Sequence, residues 1–117
     1  MPSYTAPLED MMFLFEKLRD NKKYNELEKY KEVSSDLVKD ILDEAAKITQ
    51  NLILPLAKSG DETPAVLENG VVRTPPGYKE AYQKFIEDGW ISLSCDPKYG
   101  GQAVSYTHLT LPTNREV

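Results

Sequence analysis

Tyr78-Lys79-Glu80-Ala81-Tyr82-Gln83-Lys84-Phe85-Ile86-Glu87-Asp88-Gly89-Trp90, running on through Ile91-Ser92-Leu93-Ser94-Cys95 into Asp96-Pro97-Lys98-Tyr99-Gly100-Gly101-Gln102, is the stretch on which the reading of this chain turns. Its first part is helical by period. Ala81, Tyr82, Phe85 and Ile86 form one apolar face, and Gly89 supplies a stop. Thr74 can cap the helix and Pro75-Pro76 suit its first turn, so the pattern predicts a helix over 76–88. An apolar residue just past a glycine stop commonly closes the helix end, which places Trp90 against Phe85 or against a long helix upstream. Ile91 to Cys95 is a short apolar segment, and Tyr99-Gly100-Gly101 reads as a turn whose glycines take positive φ.

That long helix is predicted over 36–58. Leu37, Ile41, Ala45, Ile48, Leu52 and Leu56 recur at steps of three and four, Val38, Leu42 and Ile53 widen the stripe, and Ser34 or Ser35 offers an N-cap oxygen. Pro55 cannot donate to the carbonyl four residues back, so a kink is expected there, with Gly60 as terminator. Between the two helices, Val66-Leu67-Glu68 and Val71-Val72-Arg73 flank Asn69-Gly70, the residue pair suited to the two positive φ angles of a type I′ hairpin turn. Upstream, Pro2 and Pro7 precede a helix predicted over 8–18, with Leu8, Met11, Met12, Phe15 and Leu18 at helical spacing and Glu9 and Asp10 at its positive end. Asn21 to Lys31 is charged, with Tyr24, Leu27 and Tyr30 three apart, and reads either as a helical turn or as a loop. The fold class that follows is all-α with one short β-hairpin.

The chain has 117 residues, room for one domain, with 14 basic and 19 acidic side chains, net −5. That balance argues against a nucleic-acid partner. The longest apolar run, Leu52 to Ala57, is broken by Pro55 and is far short of the roughly 20 residues of a membrane span. Met1-Pro2-Ser3-Tyr4 lacks the basic start and apolar run of a signal peptide, so a cytoplasmic protein is expected. Cys95 is alone, which excludes an internal disulfide.

Residue chemistry nominates no site. Asp43 and Glu44 are adjacent and point about 100° apart on a helix, so they do not form a catalytic carboxylate pair. Met11, Met12 and Phe13 could form a greasy ligand face, but Met and Phe more often fill irregular core gaps. Neither a metal-ligand cluster, nor a nucleophile beside a base, nor a phosphate loop is present. The final stretch, Val104 to Val117, breaks with the preceding charge and periodicity and resembles a translated sequencing adapter. It is set aside from the fold, and His108, the chain's sole histidine, goes with it. Its one arginine and one glutamate cancel, so the charge argument is unchanged.

Several motifs in order resemble the acyl-CoA dehydrogenase family. They are the opening Met1-Pro2-Ser3-Tyr4 with Ala6-Pro7-Leu8 and Asp10-Met11; Leu54-Pro55-Leu56 with Gly60-Asp61; Leu67 to Val72; Pro75 to Tyr82; Gly89-Trp90; and Tyr99-Gly100-Gly101-Gln102. The resemblance extends from Met1 to about Ala103 and points to the branch with an extended amino terminus, which includes methylthiopropanoyl-CoA dehydrogenase-like enzymes. It implies a truncated N-terminal helical domain over 1–103, taken from an FAD-dependent oxidoreductase that desaturates an acyl-CoA thioester. It also implies electron-transferring flavoprotein as partner, a homo-oligomeric parent, and covering contacts with the remaining domains. The family's base and flavin contacts come from later segments, so no catalytic, cofactor-binding or metal residue is assigned here and the segment alone is expected to be inactive. A different class of function, a stand-alone helical adaptor presenting the exposed side of the long helix, is the competing reading.

Overall fold

The computed structural model describes residues 3–101, and these are mainly helical with one hairpin. The first helix, α1 (Leu8–Phe13), continues as a wider π-helical turn over Leu14–Leu18 and ends where Arg19 turns extended. Asn21 closes that end, its Nδ2 donating to the Phe15 carbonyl at 3.0 Å, which satisfies an acceptor that the helix leaves over. The charged region that follows is helical: α2 (Asn21–Asn25), capped by Asp20 accepting from Lys23 N–H at 3.2 Å, then a 3-10 turn over Glu28–Tyr30.

The long helix is a composite. Its first part, α3 (Ser35–Ile48), is capped by Ser34 Oγ, which accepts from Leu37 N–H at 3.1 Å. A π-helical turn over Thr49–Ile53 then lets Leu54 N–H reach the Thr49 carbonyl at 2.8 Å, five residues back. That widening sits immediately before Pro55 and relieves the clash its ring would otherwise make with the preceding turn. The helix resumes as α4 (Leu56–Glu62) and ends at Thr63, beyond the expected Lys58.

Gly60 does not terminate it. A Cβ at Gly60 would lie 2.2 Å from Tyr78 Oη, so the glycine is needed for the close approach of a ring from the next helix. Residue type alone does not distinguish that role from a stop.

The strands β1 (Val66–Glu68) and β2 (Val71–Arg73) pair antiparallel with Glu68 opposite Val71, and the turn residues Asn69 and Gly70 have φ of 51° and 77°. The hairpin forms as expected, with its strands exposed along their whole length. The last long helix, α5 (Tyr78–Glu87), begins two residues later than expected. Its first-turn boundary is Gly77 at φ 86° rather than Thr74, and Pro75-Pro76 lie in the preceding turn. Gly89, at φ 76°, ends it as expected. Trp90–Ser92, leading into the short apolar segment, forms a 3-10 turn.

Packing is thin. The buried apolar residues among those described are Phe15, Val38, Ala46, Ala81 and Leu93, and none of them is below 2 % exposure. On α5 the expected inward face narrows to Ala81 and Phe85, while Tyr82 is 58 % exposed and Ile86 is also exposed. On α3 and its continuation Leu37 and Ile53 are exposed too, whereas Lys39 and Lys47 face solvent as a helix stripe requires. The N-terminal segment is tied down by Ala6 N–H donating to Gln50 Oε1 at 2.8 Å, and α1 packs on α3. The radius of gyration is 17.3 Å, against about 13 Å for a compact 100-residue domain.

Candidate functional site

Three places could carry function, and each follows from how its elements meet. The first is an open cleft of about 640 Å³ where the π-helical turn and α4 diverge from α5. Two apolar stripes form its walls: Thr49, Ile53, Leu56 and Ala57 on one helix, and Tyr78, Ala81, Tyr82 and Phe85 on the other. The junction at its base is tight, because Gly60 admits Tyr78, Gly77 admits Leu56, and Ser59 Oγ donates to the Pro76 carbonyl at 3.0 Å. The lining is almost wholly apolar. The polar side chains on it are those of Tyr4, Tyr78, Tyr82 and Thr49, and the Thr49 hydroxyl already donates to the Ala45 carbonyl at 2.8 Å.

Such a cleft does not fit a flavin dinucleotide. A diphosphate needs cations or a row of free backbone N–H groups, and no charged side chain lines these walls. The cleft is suited to an apolar body that brings its own polar groups already satisfied.

The second place is a smaller cleft of about 250 Å³ between α3 and the chain after Gly89, lined by Asp40, Ile41, Glu44, Asp88, Trp90 and Leu93. Trp90 thus shares a cleft with Asp40, Ile41 and Glu44 of the long helix, on the side the glycine stop led one to expect. Its Nε1 is buried without a hydrogen-bond partner. The carboxylates here have other work: Asp88 accepts from Lys84 at 2.8 Å, and Glu44 pairs with Lys47. Lys39 takes Asp43 at 2.6 Å, so Asp43 and Glu44 are held apart in separate exposed ion pairs. The hydrogen bond and charge of the partner carboxylate raise the pKa of Lys39, Lys47 and Lys84 above the ordinary lysine value.

The third is the Asp96–Gly101 loop. Asp96 organises it, its side chain accepting from Lys98 N–H at 2.9 Å and its carbonyl from Tyr99 and Gly101 N–H at 2.9 and 3.1 Å. Gly100 takes φ 84°, as a turn glycine should. Gly101 has a different reason: a Cβ there would lie 1.9 Å from the Cys95 carbonyl oxygen. Both glycines are explained by backbone geometry, and Tyr99 is 79 % exposed.

Met11 and Phe13 are exposed, so they neither fill a core nor line these clefts. Cys95 is exposed and free. Among the described residues no group of three or more His, Cys, Asp or Glu is placed to hold a metal, and no helix is long and apolar enough to cross a membrane. Val104 to Val117, with His108, lies outside the described residues.

No family model matches the chain. It is, however, 38 % identical over 102 residues to 3-methylmercaptopropionyl-CoA dehydrogenase from Ruegeria pomeroyi. The resemblance to the acyl-CoA dehydrogenases holds. The match takes in 87 % of this chain and 17 % of that relative, so the chain spans about one sixth of the relative's length. The order of motifs from Met1 to Gln102 pointed to this family. What sequence reasoning missed is the apolar cleft, because the periodicity that places Ala81, Tyr82 and Phe85 on one face does not say that the face stays open opposite Ile53 and Leu56.

Proposed function

We propose that residues 1–103 are the N-terminal helical segment of an FAD-dependent acyl-CoA dehydrogenase, an oxidoreductase acting on a CH–CH bond of an acyl-CoA thioester. The likeness over 102 residues carries this reading. The thin core and the uncovered apolar stripes support it, since a segment built to be covered by further polypeptide leaves such faces open. In the parent, electron-transferring flavoprotein takes up the electrons, the enzyme is a homo-oligomer, and the catalytic base and flavin contacts come from outside this segment. The segment alone is inactive, because desaturation needs a positioned base, a bound flavin and a dry cleft together.

The test is made on the parent protein and on residues 1–117 side by side. Both are purified with FAD, retained flavin absorbance is recorded, and reduction of an artificial electron acceptor is followed across a panel of acyl-CoA thioesters. The parent is expected to hold flavin and turn over at least one thioester, and the 117-residue chain to do neither. A parent without flavin, or turnover by the short chain alone, overturns the reading.

A further inference from the structure

We propose that the hairpin is a subunit contact: the outer edge of β2 pairs antiparallel with β2 of a second copy of the chain, giving a four-stranded sheet with its two-fold axis at Val72. The inference rests on the reading of the parent as a homo-oligomer and assigns one of its contacts. Val71 is 59 % and Val72 63 % exposed. Among the described residues, 66–73 make no backbone hydrogen bond outside the hairpin's own ladder. An open, β-branched edge of this kind is a template for another strand, and proteins that do not use such an edge block it with lysine, proline or a bulge. From Val71 to Thr74 there is no lysine, proline or bulge, and the one charge, Arg73, is turned onto Glu68 of the neighbouring strand at 2.7 Å. The edge of β2 is preferred to that of β1 because Val71, Val72 and Thr74 are β-branched, whereas β1 begins two residues after Pro64.

The register follows from the turn. With Asn69-Gly70 as a two-residue turn, Glu68 and Val71 exchange the first ladder bonds, so Val72 directs its N–H and C=O away from β1. Two copies of β2 can therefore exchange a pair of bonds between Val72 and Val72. In that register one face of the sheet carries an unbroken apolar row: Leu67, Val72, then Val72 and Leu67 of the second copy. The rows on the other face read Glu68, Val71, then Arg73 and Val66 of the second copy, with no like charges opposed. A slip of one residue would set Arg73 against Arg73, and like charges directly opposite destabilise a pair. A slip the other way would set Val72 against Gly70 in the turn. The Glu68–Arg73 pair leaves the hairpin without net charge, so two copies meet here without the repulsion that net −5 gives the chain as a whole. A second copy also brings the matching edge by symmetry. Three-residue edges bury much less than the roughly 1,200 Å² of a stable interface. The contact therefore belongs to a larger subunit interface in the parent, and residues 1–117 alone stay monomeric.

The experiment is made on the full-length parent, whose association state is first read by light scattering on gel filtration. Val72→Cys, in a Cys95→Ser background, is then oxidised, and linked peptides are mapped by mass spectrometry. Residues in a hydrogen-bonded antiparallel pair have Cα atoms about 5.5 Å apart, inside the range of about 4.4–6.8 Å that a disulfide spans. A link between position 72 of two subunits is expected. Val71→Cys, offset by two residues from its own symmetry mate, should give none above the level of an unoxidised sample. Val72→Pro is the second variant, since it removes the outward N–H but no donor of the hairpin's own ladder. Its subunits should dissociate on dilution at a concentration about tenfold higher, with Val72→Thr unchanged. An oligomeric parent that gives no link at position 72, links equally through Val71→Cys, or dissociates no more readily as Val72→Pro, overturns the hairpin contact alone. A monomeric parent overturns it together with the homo-oligomer reading. Flavin content is measured on the same samples, and the link without flavin refutes the dehydrogenase reading alone.

Discussion

Replacing Gly77 by alanine tests the junction on which the cleft is built. Gly77 sits at φ 86° at the entry to α5, and a Cβ there would lie 2.6 Å from Leu56 Cδ2. Two costs arise. Left-handed backbone disfavours an L side chain by about 1–2 kcal/mol. Moving Leu56 off its rotamer adds about 0.5–1.5 kcal/mol. The sum, roughly 1.5–3.5 kcal/mol, corresponds to a fall in Tm on the order of 10–25 °C for a domain of this size. Gly70→Ala supplies the comparison, because Gly70 has φ 77° and nothing within 4 Å of its added Cβ, so only the backbone term applies. Urea unfolding followed by far-UV circular dichroism measures both variants. Adding Leu56→Ala should remove the steric part, making the double variant with Gly77→Ala less costly than the two single changes taken together. If Gly77→Ala costs no more than Gly70→Ala, or adds fully with Leu56→Ala, the α4–α5 junction is not held as described.

Ser34→Ala should lower stability by about 1 kcal/mol through loss of the cap on Leu37 N–H, with the change visible in the same unfolding assay. Deleting Val104 to Val117 should leave the melting temperature within a degree or so, since a sequence not selected with this fold has no reason to fit it; a fall of several degrees would refute the adapter reading. The raised pKa of Lys39, Lys47 and Lys84 fixes a pH dependence: their pairs contribute fully below the ordinary lysine value of 10.5 and lose that contribution as pH rises through the raised values. Helix content followed on alkaline titration should therefore be flat below that range and fall above it, and added salt should reduce the difference because all three pairs are exposed.

Local signals were read well where a residue acts on its own backbone. Ser34, Pro55, Asn69-Gly70 and Gly89 work through capping, a missing donor or a permitted φ, and each of these is written in the residue itself. The errors fall where another residue of the chain, not the residue's own backbone, decides. Gly60 stands inside a helix because Tyr78 passes over it, and Gly101 is required by the Cys95 carbonyl rather than by its own φ. The start of α5 moved from Pro76 to Tyr78 because Gly77, fitted under Leu56, makes the turn that Thr74 was expected to cap. Two of the chain's six glycines, Gly60 and Gly77, therefore answer to packing across elements, and Gly101 to its own loop's backbone, which a one-dimensional pattern does not carry.

The same distinction explains why periodicity overestimated burial. A stripe at 3.6-residue spacing states that a helix has an apolar face; it does not state that the partner for that face lies in the same segment. Here Val38 is buried, and Ala46 is buried one position past the expected Ala45, while Leu37, Ile53, Tyr82 and Ile86 on equally regular stripes stay exposed. The hairpin repeats the point: Leu67 and Val72 stand opposite one another, yet are 71 % and 63 % exposed, and a two-stranded ribbon of that kind is marginal until something covers it. Trp90 adds the polar counterpart, an indole N–H removed from water with no acceptor in reach, a state that costs about 1–3 kcal/mol. Open stripes, an uncovered hairpin and an unpaired buried donor are defects in an independent domain. On the reading proposed above, in which the chain is a segment of a larger enzyme, they are surfaces for the rest of that protein to cover.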